Sequence, residues 1–76
     1  MKELLTYIAQ NLVDHPEQVE VYEQTGDGEI SLELRVASED MGKVIGRQGR
    51  IAKWIRVLMR SVGQRQGTRV SVEISD

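Results

Sequence analysis

Gly46 and Gly49 stand three positions apart in the run Met41-Gly42-Lys43-Val44-Ile45-Gly46-Arg47-Gln48-Gly49-Arg50-Ile51, between a short apolar stretch and a strongly amphipathic segment. Two positions without side chains let the backbone turn sharply and let something flat approach the main chain closely. Arg47 and Gln48 supply a cation and a hydrogen-bond donor between the glycines, and Lys43 and Arg50 flank the turn. A helix opening just after it points free N–H groups back at the loop. The ligand chemistry that fits is a phosphodiester backbone.

The charge distribution agrees with this better than the net charge does. Residues 1–40 carry ten acids and two bases (Lys2 and Arg35), a balance of −8, whereas residues 41–76 carry eight bases and two acids, a balance of +6, within a chain whose net charge is −2. The acidic pI of 5.4 therefore conceals a basic half. Lys43, Arg47, Arg50, Lys53, Arg56, Arg60, Arg65 and Arg69 occur with no acid between Met41 and Val72. Such a concentration of one sign raises the local density of anions even on an acidic protein. A charge run alone also describes a solvated helix face; the glycine loop inside this one favours nucleic acid.

Other chemistries have little material. There is no cysteine, hence no disulfide framework or thiolate metal site, and the lone His15 cannot build one. No cofactor is implied. Asp14 beside His15 and Pro16 reads as a helix-end turn rather than an acid/base pair, so no catalytic residue and no enzyme activity are expected. The glycine spacing fits neither a dinucleotide loop nor a Walker loop, and so short a chain has no room for the parallel sheet that would surround the former. No stretch is long and apolar enough for a membrane span and the first residues do not read as a signal peptide, so a soluble cytoplasmic protein is expected.

The elements that must hold the loop can be read from periodicity. Leu4, Leu5, Ile8 and Leu12 recur at helical spacing, and Asp14-His15-Pro16 ends a helix spanning about residues 2–13. Val19 and Val21 alternate with polar residues, as do Ile30, Leu32, Leu34 and Val36; with Thr25-Gly26-Asp27-Gly28-Glu29 between them, these are two strands of an antiparallel hairpin. Ser38 is placed to cap a helix of one or two turns over residues 39–45 that ends at Gly46. A longer helix is expected from about Arg50 to Val62, stopped by Gly63. Gln64-Arg65-Gln66-Gly67 then leads into a third strand carrying Val70, Val72 and Ile74. The order is α-β-β-α-α-β in a single domain, residues 1–76. At this length burial on folding is limited, which makes association an attractive source of further stability.

This order, with Val-Ile-Gly-Arg-Gln-Gly between the two inner helices, resembles a type II KH domain. More narrowly, the run from Glu39 to Lys53, followed by Ile55-Arg56 and a closing strand, resembles the bacterial KhpA family of small stand-alone KH proteins, over essentially the whole chain. The resemblance implies an α+β fold, a three-stranded mixed sheet with three helices packed on one face. It also implies binding of single-stranded RNA, with about four nucleotides clamped across the Gly-x-x-Gly loop. Carried onto this chain, Gly46 and Gly49 give close approach, Arg47 and Gln48 meet phosphates, Lys43, Arg50 and Lys53 add charge, and Val44, Ile45 and Ile51 with Val36 floor or wall the base groove or else belong to the core. The resemblance further implies an RNA-chaperone or post-transcriptional regulatory role, a partnership with the larger protein KhpB (Jag/EloR), and a link to cell elongation and peptidoglycan homeostasis. A contrasting reading is a KH fold used as an assembly surface, with little RNA affinity of its own.

The long helix gives that contrasting reading some weight. At about 100° per residue, Ile51, Ala52, Trp54, Ile55, Leu58, Met59 and Val62 cover an arc of roughly 160°, wider than the ~100° an ordinary core-facing stripe needs. Trp54 stands where the resembled proteins usually carry a small residue, with Val57 just beyond it. Two arrangements follow: Trp54 with Leu58 or Val57 meets a second copy about a two-fold axis, or Trp54 caps its own core.

Overall fold

Alternation of apolar and polar side chains puts Val21, Leu32, Leu34, Val70 and Val72 on one side of a sheet and leaves Tyr22, Ser31, Ser71 and Glu73 exposed on the other. The computed structural model describes residues 1–76. Strands β1 (Glu20–Gly26) and β2 (Glu29–Arg35) pair antiparallel, with Gly26 opposite Glu29 and Val21 opposite Leu34. Of the turn residues Asp27 and Gly28, only Gly28 takes a positive φ (+67°). Strand β3 (Arg69–Ser75) lies parallel to β2, so the order across the mixed sheet is β1-β2-β3 with β2 in the centre.

Three α-helices cover the apolar side. Helix α1 (Lys2–Leu12) packs on β1 and β2, α2 (Met41–Ile45) spans the gap between α1 and the last helix, and α3 (Arg50–Arg65) lies on β3. Leu5, Ala9, Val21, Leu32, Leu34, Val36, Val44, Ile55, Met59, Val70 and Val72 form one continuous core between the layers. This is the expected α+β architecture in the expected order. No helix is long and apolar enough to cross a membrane.

Two local expectations are overturned. Ser38 does not cap α2: it opens a 3₁₀ turn (Ser38–Asp40), and its side chain makes no capping hydrogen bond. The polar work at this junction falls to Asp40, 1% exposed, whose Oδ1 and Oδ2 accept hydrogen bonds from the backbone N–H groups of Asp14 (3.2 Å) and His15 (3.0 Å). These donors are stranded where α1 has ended and the 3₁₀ turn Pro16–Gln18 begins. A buried carboxylate is tolerated because it is satisfied by donors, and here it ties the start of α2 to the end of α1.

Gly63 does not stop the long helix. Helix α3 continues through it to Arg65, and the reversal is made instead by Gly67 at φ +68°. Gly63 is buried because β3 returns directly over it: a Cβ there would lie 2.7 Å from the Thr68 carbonyl oxygen and would collide with Val70 Cγ2. The residue is glycine for close approach, not for chain reversal. Replacing glycine by alanine inside an exposed helix stabilises it by up to about 1 kcal/mol. Gly63→Ala should do the opposite, lowering stability by about 1–3 kcal/mol through overpacking against backbone that cannot yield. Urea unfolding measures this, and an unchanged or raised midpoint would show that α3 and β3 separate freely.

Candidate nucleic-acid interface

Helix α2 ends because Gly46 leaves helical space, at φ +76° and ψ 176°, while its N–H still donates to Gly42 O at 2.9 Å. A single 3₁₀ turn, Arg47–Gly49, then hands the chain to α3. Within it Gln48 (φ +58°, ψ 25°) and Gly49 (φ +75°, ψ 16°) are both left-handed. Two successive left-handed residues bend the main chain outward, and for Gln48 that conformation costs on the order of 1–3 kcal/mol, which the surrounding structure must impose.

Ile51, the second residue of α3, packs directly beneath the loop: a Cβ on Gly46 would sit 2.6 Å from Ile51 Cγ1 and 2.9 Å from Ile51 Cδ1. At Gly49 a Cβ would meet nothing within 4 Å, and only the positive φ demands glycine. The two glycines thus have different tasks: Gly46 admits Ile51 from below, and Gly49 bends the chain. Helix α3 starts without a side-chain cap, so its positive end faces the loop with no carboxylate or hydroxyl in between.

The side chains divide by height. Lys43, Arg47, Gln48, Arg50 and Lys53 are exposed, Gly46 and Gly49 partly so. Ile45 and Ile51 are half-buried at the base of the loop. Val44 and Val36, expected as possible groove residues, are sealed in the core at 0% and 4% exposure, so they back the loop and present nothing to a ligand. The reason is periodicity: Val44 is the inward-facing position of a helix of only five residues, and Val36 continues the inward alternation of β2.

The cations are largely free. Of the eight bases from Lys43 to Arg69, two lie within ion-pair distance of an acid: Lys43 Nζ is 3.4 Å from Asp14 Oδ2, and Arg69 Nη1 is 3.5 Å from Glu29 Oε1. Arg47, Arg50, Lys53, Arg56, Arg60 and Arg65 have no such partner. Both acids come from the first half of the chain, so neither pair could be anticipated from the acid-free run itself. Arg56 has a different attachment, its Nε donating to Val72 O at 3.2 Å. Arg69 N–H donates to Gly28 O and Ser75 O accepts from Val36 N–H, so the odd residues of β3 face β2. Val72, of opposite parity, therefore presents its carbonyl to the free edge of the sheet, where the guanidinium covers it.

Trp54 and Val57 stand on the flank of α3 away from the sheet, 53% and 48% exposed, with Leu58 half-buried beside them. About half of the Trp54 surface and half of the Val57 surface are thus left uncovered by the chain itself.

Comparison with known proteins shows the family to which the chain belongs. A sequence model of the KhpA/KhpB KH domain matches residues 2–74. The chain is 57% identical over 74 residues to the RNA-binding protein KhpA of Clostridium acetobutylicum, covering 97% of this chain and 99% of that one. It is 51% identical to KhpA of Chlamydia pneumoniae over 76 residues, 100% of this chain and 97% of that protein. KhpA of Treponema pallidum is 49% identical over 75 residues, 99% and 94% of the two chains. With its loop, element order and full-length similarity in agreement, the chain belongs to the KhpA/KhpB family of KH domains.

Proposed function

We propose that this chain binds single-stranded RNA across the Gly46–Gly49 loop. The observation that carries the reading is the loop itself: left-handed backbone at Gln48 and Gly49, held up by Ile51 under Gly46, and exposed cations Arg47, Arg50 and Lys53 with no acid near them. Phosphates approach the glycines, Arg47 and Gln48 contact them, and Lys43 joins by exchanging its exposed pair with Asp14 for a phosphate. An exposed pair of this kind is worth well under about 1 kcal/mol, so the exchange is not opposed. Ile45 and Ile51 offer the bases an apolar floor at the foot of the loop. The relatives' shared description as RNA-binding proteins supports the same reading.

The wider role rests on family membership: a cytoplasmic RNA chaperone or post-transcriptional regulator, acting with KhpB (Jag/EloR) in cell elongation and peptidoglycan homeostasis. The match to a domain model shared by KhpA and KhpB supports a common scaffold for such a pair. A second reading, assembly through α3, has its own observation in the exposed Trp54 and Val57, three residues apart on one helical face. A homodimer about a two-fold axis would bury this flank on both copies, next to the loop that opens the same helix.

Replacing Arg47 and Gln48 together by Asp places two anions where phosphates are read. Binding of single-stranded RNA should be lost, while thermal unfolding stays within about ±0.5 kcal/mol of the parent because both positions are exposed. For the parent, contacts to about two to four phosphates give a slope of log affinity against log salt of roughly −1.4 to −2.8. Fluorescence anisotropy across a salt series reads both effects; undiminished binding by the double variant, or a salt-independent affinity in the parent, refutes the loop assignment.

Trp54→Ala tests the assembly surface. Sedimentation should show a parent dimer dissociating to a folded monomer with its RNA affinity kept, and an unfolding midpoint extrapolated to low concentration should barely move. A parent protein that stays monomeric at high micromolar concentration refutes the homodimer.

A further inference from the structure

The basic surface does not end at the glycine loop. Arg56, Arg60 and Gln64 follow one another at intervals of four on α3 and so share one helical face. The Arg56 hydrogen bond to Val72 O fixes where that face lies: along the free edge of β3. At the far end of this trough, where α3 turns back into β3, Arg60, Gln64, Gly67, Thr68 and Arg69 line an open cleft of about 450 Å³. Arg50 and Arg60 are ten residues apart, about 15 Å along the helix, so the cleft is separate from the loop.

Its lining decides what it can hold. There is no apolar or aromatic side chain among the five residues, hence no surface on which a base could stack. There are two guanidinium groups, an amide and a hydroxyl. Arg60 has no ion-pair partner, and the Arg69 pair with Glu29, at 3.5 Å between two exposed side chains, is easily exchanged. The N–H groups of Gly67, Thr68 and Arg69 are already committed to Gln64, Gly63 and Gly28 carbonyls, so recognition falls to the side chains. Such a set binds phosphodiester oxygens without reading sequence.

We infer that this cleft is a second phosphate-binding site, taking the backbone of the same RNA strand after it leaves the glycine loop and runs along the edge of β3. This rests on the single-stranded RNA reading of the loop. The continuity of charge argues for one strand and not a separate small anion: no acid interrupts the chain between Met41 and Val72, and Lys53 and Arg56 stand in the interval between Arg50 and Arg60. At physiological salt the screening length is about 8 Å, shorter than the separation of the two sites. The far arginines therefore act on RNA only where RNA reaches them, so their effect depends on strand length.

The test compares labelled oligouridylates of about four nucleotides, the span of one Gly-x-x-Gly clamp, and about twelve, on the full chain with Arg60→Gln and Arg69→Gln combined. Both side chains are exposed, so unchanged thermal unfolding is expected. The parent should bind the longer strand more tightly. The variant should bind the short one as the parent does, bind the long one roughly three- to tenfold more weakly, and show a salt slope for the long strand shallower by about 1.4, the share of two phosphates. An oligocytidylate of the longer length should lose the same factor. Equal affinity of the parent for both lengths, no loss in the variant, or equal loss on both lengths overturns the second site. If the parent binds neither strand, the RNA reading fails and the second site with it. If Arg47→Asp with Gln48→Asp leaves the short strand bound, the loop assignment fails and the path from the loop to the cleft falls with it, whatever the length dependence of the arginine variant.

Discussion

Ile51 occupies the space that any side chain on Gly46 would need, and most of the candidate interface follows from that one steric fact. Because the Ile51 side chain is wedged under Gly46, α2 and α3 approach each other through their connecting loop and not only through their flanks. The loop cannot sink into the domain and its next residues must climb away from it, which they do by adopting left-handed backbone at Gln48 and Gly49. The strain in Gln48 is small beside the burial energy of the core residues on either side, Val44 and Ile55, both fully buried. Asp40 completes the frame from the other end of α2. It anchors the helix to the end of α1, so a helix of five residues, too short to be stable alone, is fixed at both ends.

On this frame the distribution of charge does what the small size of the domain cannot do by shape. A surface ion pair contributes little to stability, so leaving six cations of α3 and its loops without acidic partners costs the fold little. What it yields is a continuous positive strip from the glycine loop along α3, while the acids lie mainly on the hairpin and in the connections that flank it. The apolar excess of α3 lies on a different flank from the stripe that follows the β3 edge. One helix thus packs on the sheet with Ala52, Ile55, Met59 and Gly63 and presents Arg56 and Arg60 on one exposed flank and Trp54 and Val57 on another.

Local patterns made most of this legible from sequence. Period-two runs marked all three strands, the Asp27-Gly28 turn marked the hairpin, and the basic run around the two glycines marked the loop. What could not be read depends on chain segments far apart in sequence. Asp40 looks like a favourable acid near a helix start, and its true partners, the N–H groups of Asp14 and His15, lie 26 and 25 residues away. Gly63 looks like a helix stop until β3 is seen to return over it. Arg56 looks like one more solvated cation until its hydrogen bond to Val72 shows that it covers the sheet edge. Parallel pairing of β2 with β3 left no local mark either; it entered through resemblance to KH domains, since alternation alone is silent about strand direction.

The uncovered face of the sheet explains why a nucleic acid would keep to the helical side. All three helices pack on one face, so the other is left to Tyr22, Gln24, Ser31, Glu33, Ser71 and Glu73, which surround a shallow polar recess of about 310 Å³. In the parallel register Glu33 stands beside Glu73, and Glu20 and Glu29 lie at the two ends of the hairpin. The two cations on this face each have an acidic partner: Arg69 Nη1 lies 3.5 Å from Glu29 Oε1, and Arg35 donates to Glu33 at 3.1 Å with its guanidinium 5.3 Å from the centre of the Tyr22 ring. Tyr22 in turn donates its hydroxyl to Glu20, and that hydrogen bond, followed by the Glu20 charge, pushes its pKa above the ordinary tyrosine value. One face of the ring carries Arg35 and its hydroxyl is held by a carboxylate, within a field of acids that repels phosphate, so this ring is poorly placed to stack a base. On the proposed reading, an RNA strand would be oriented twice, by attraction at the glycine loop and α3 and by repulsion at the open sheet. The second term needs no contact at all.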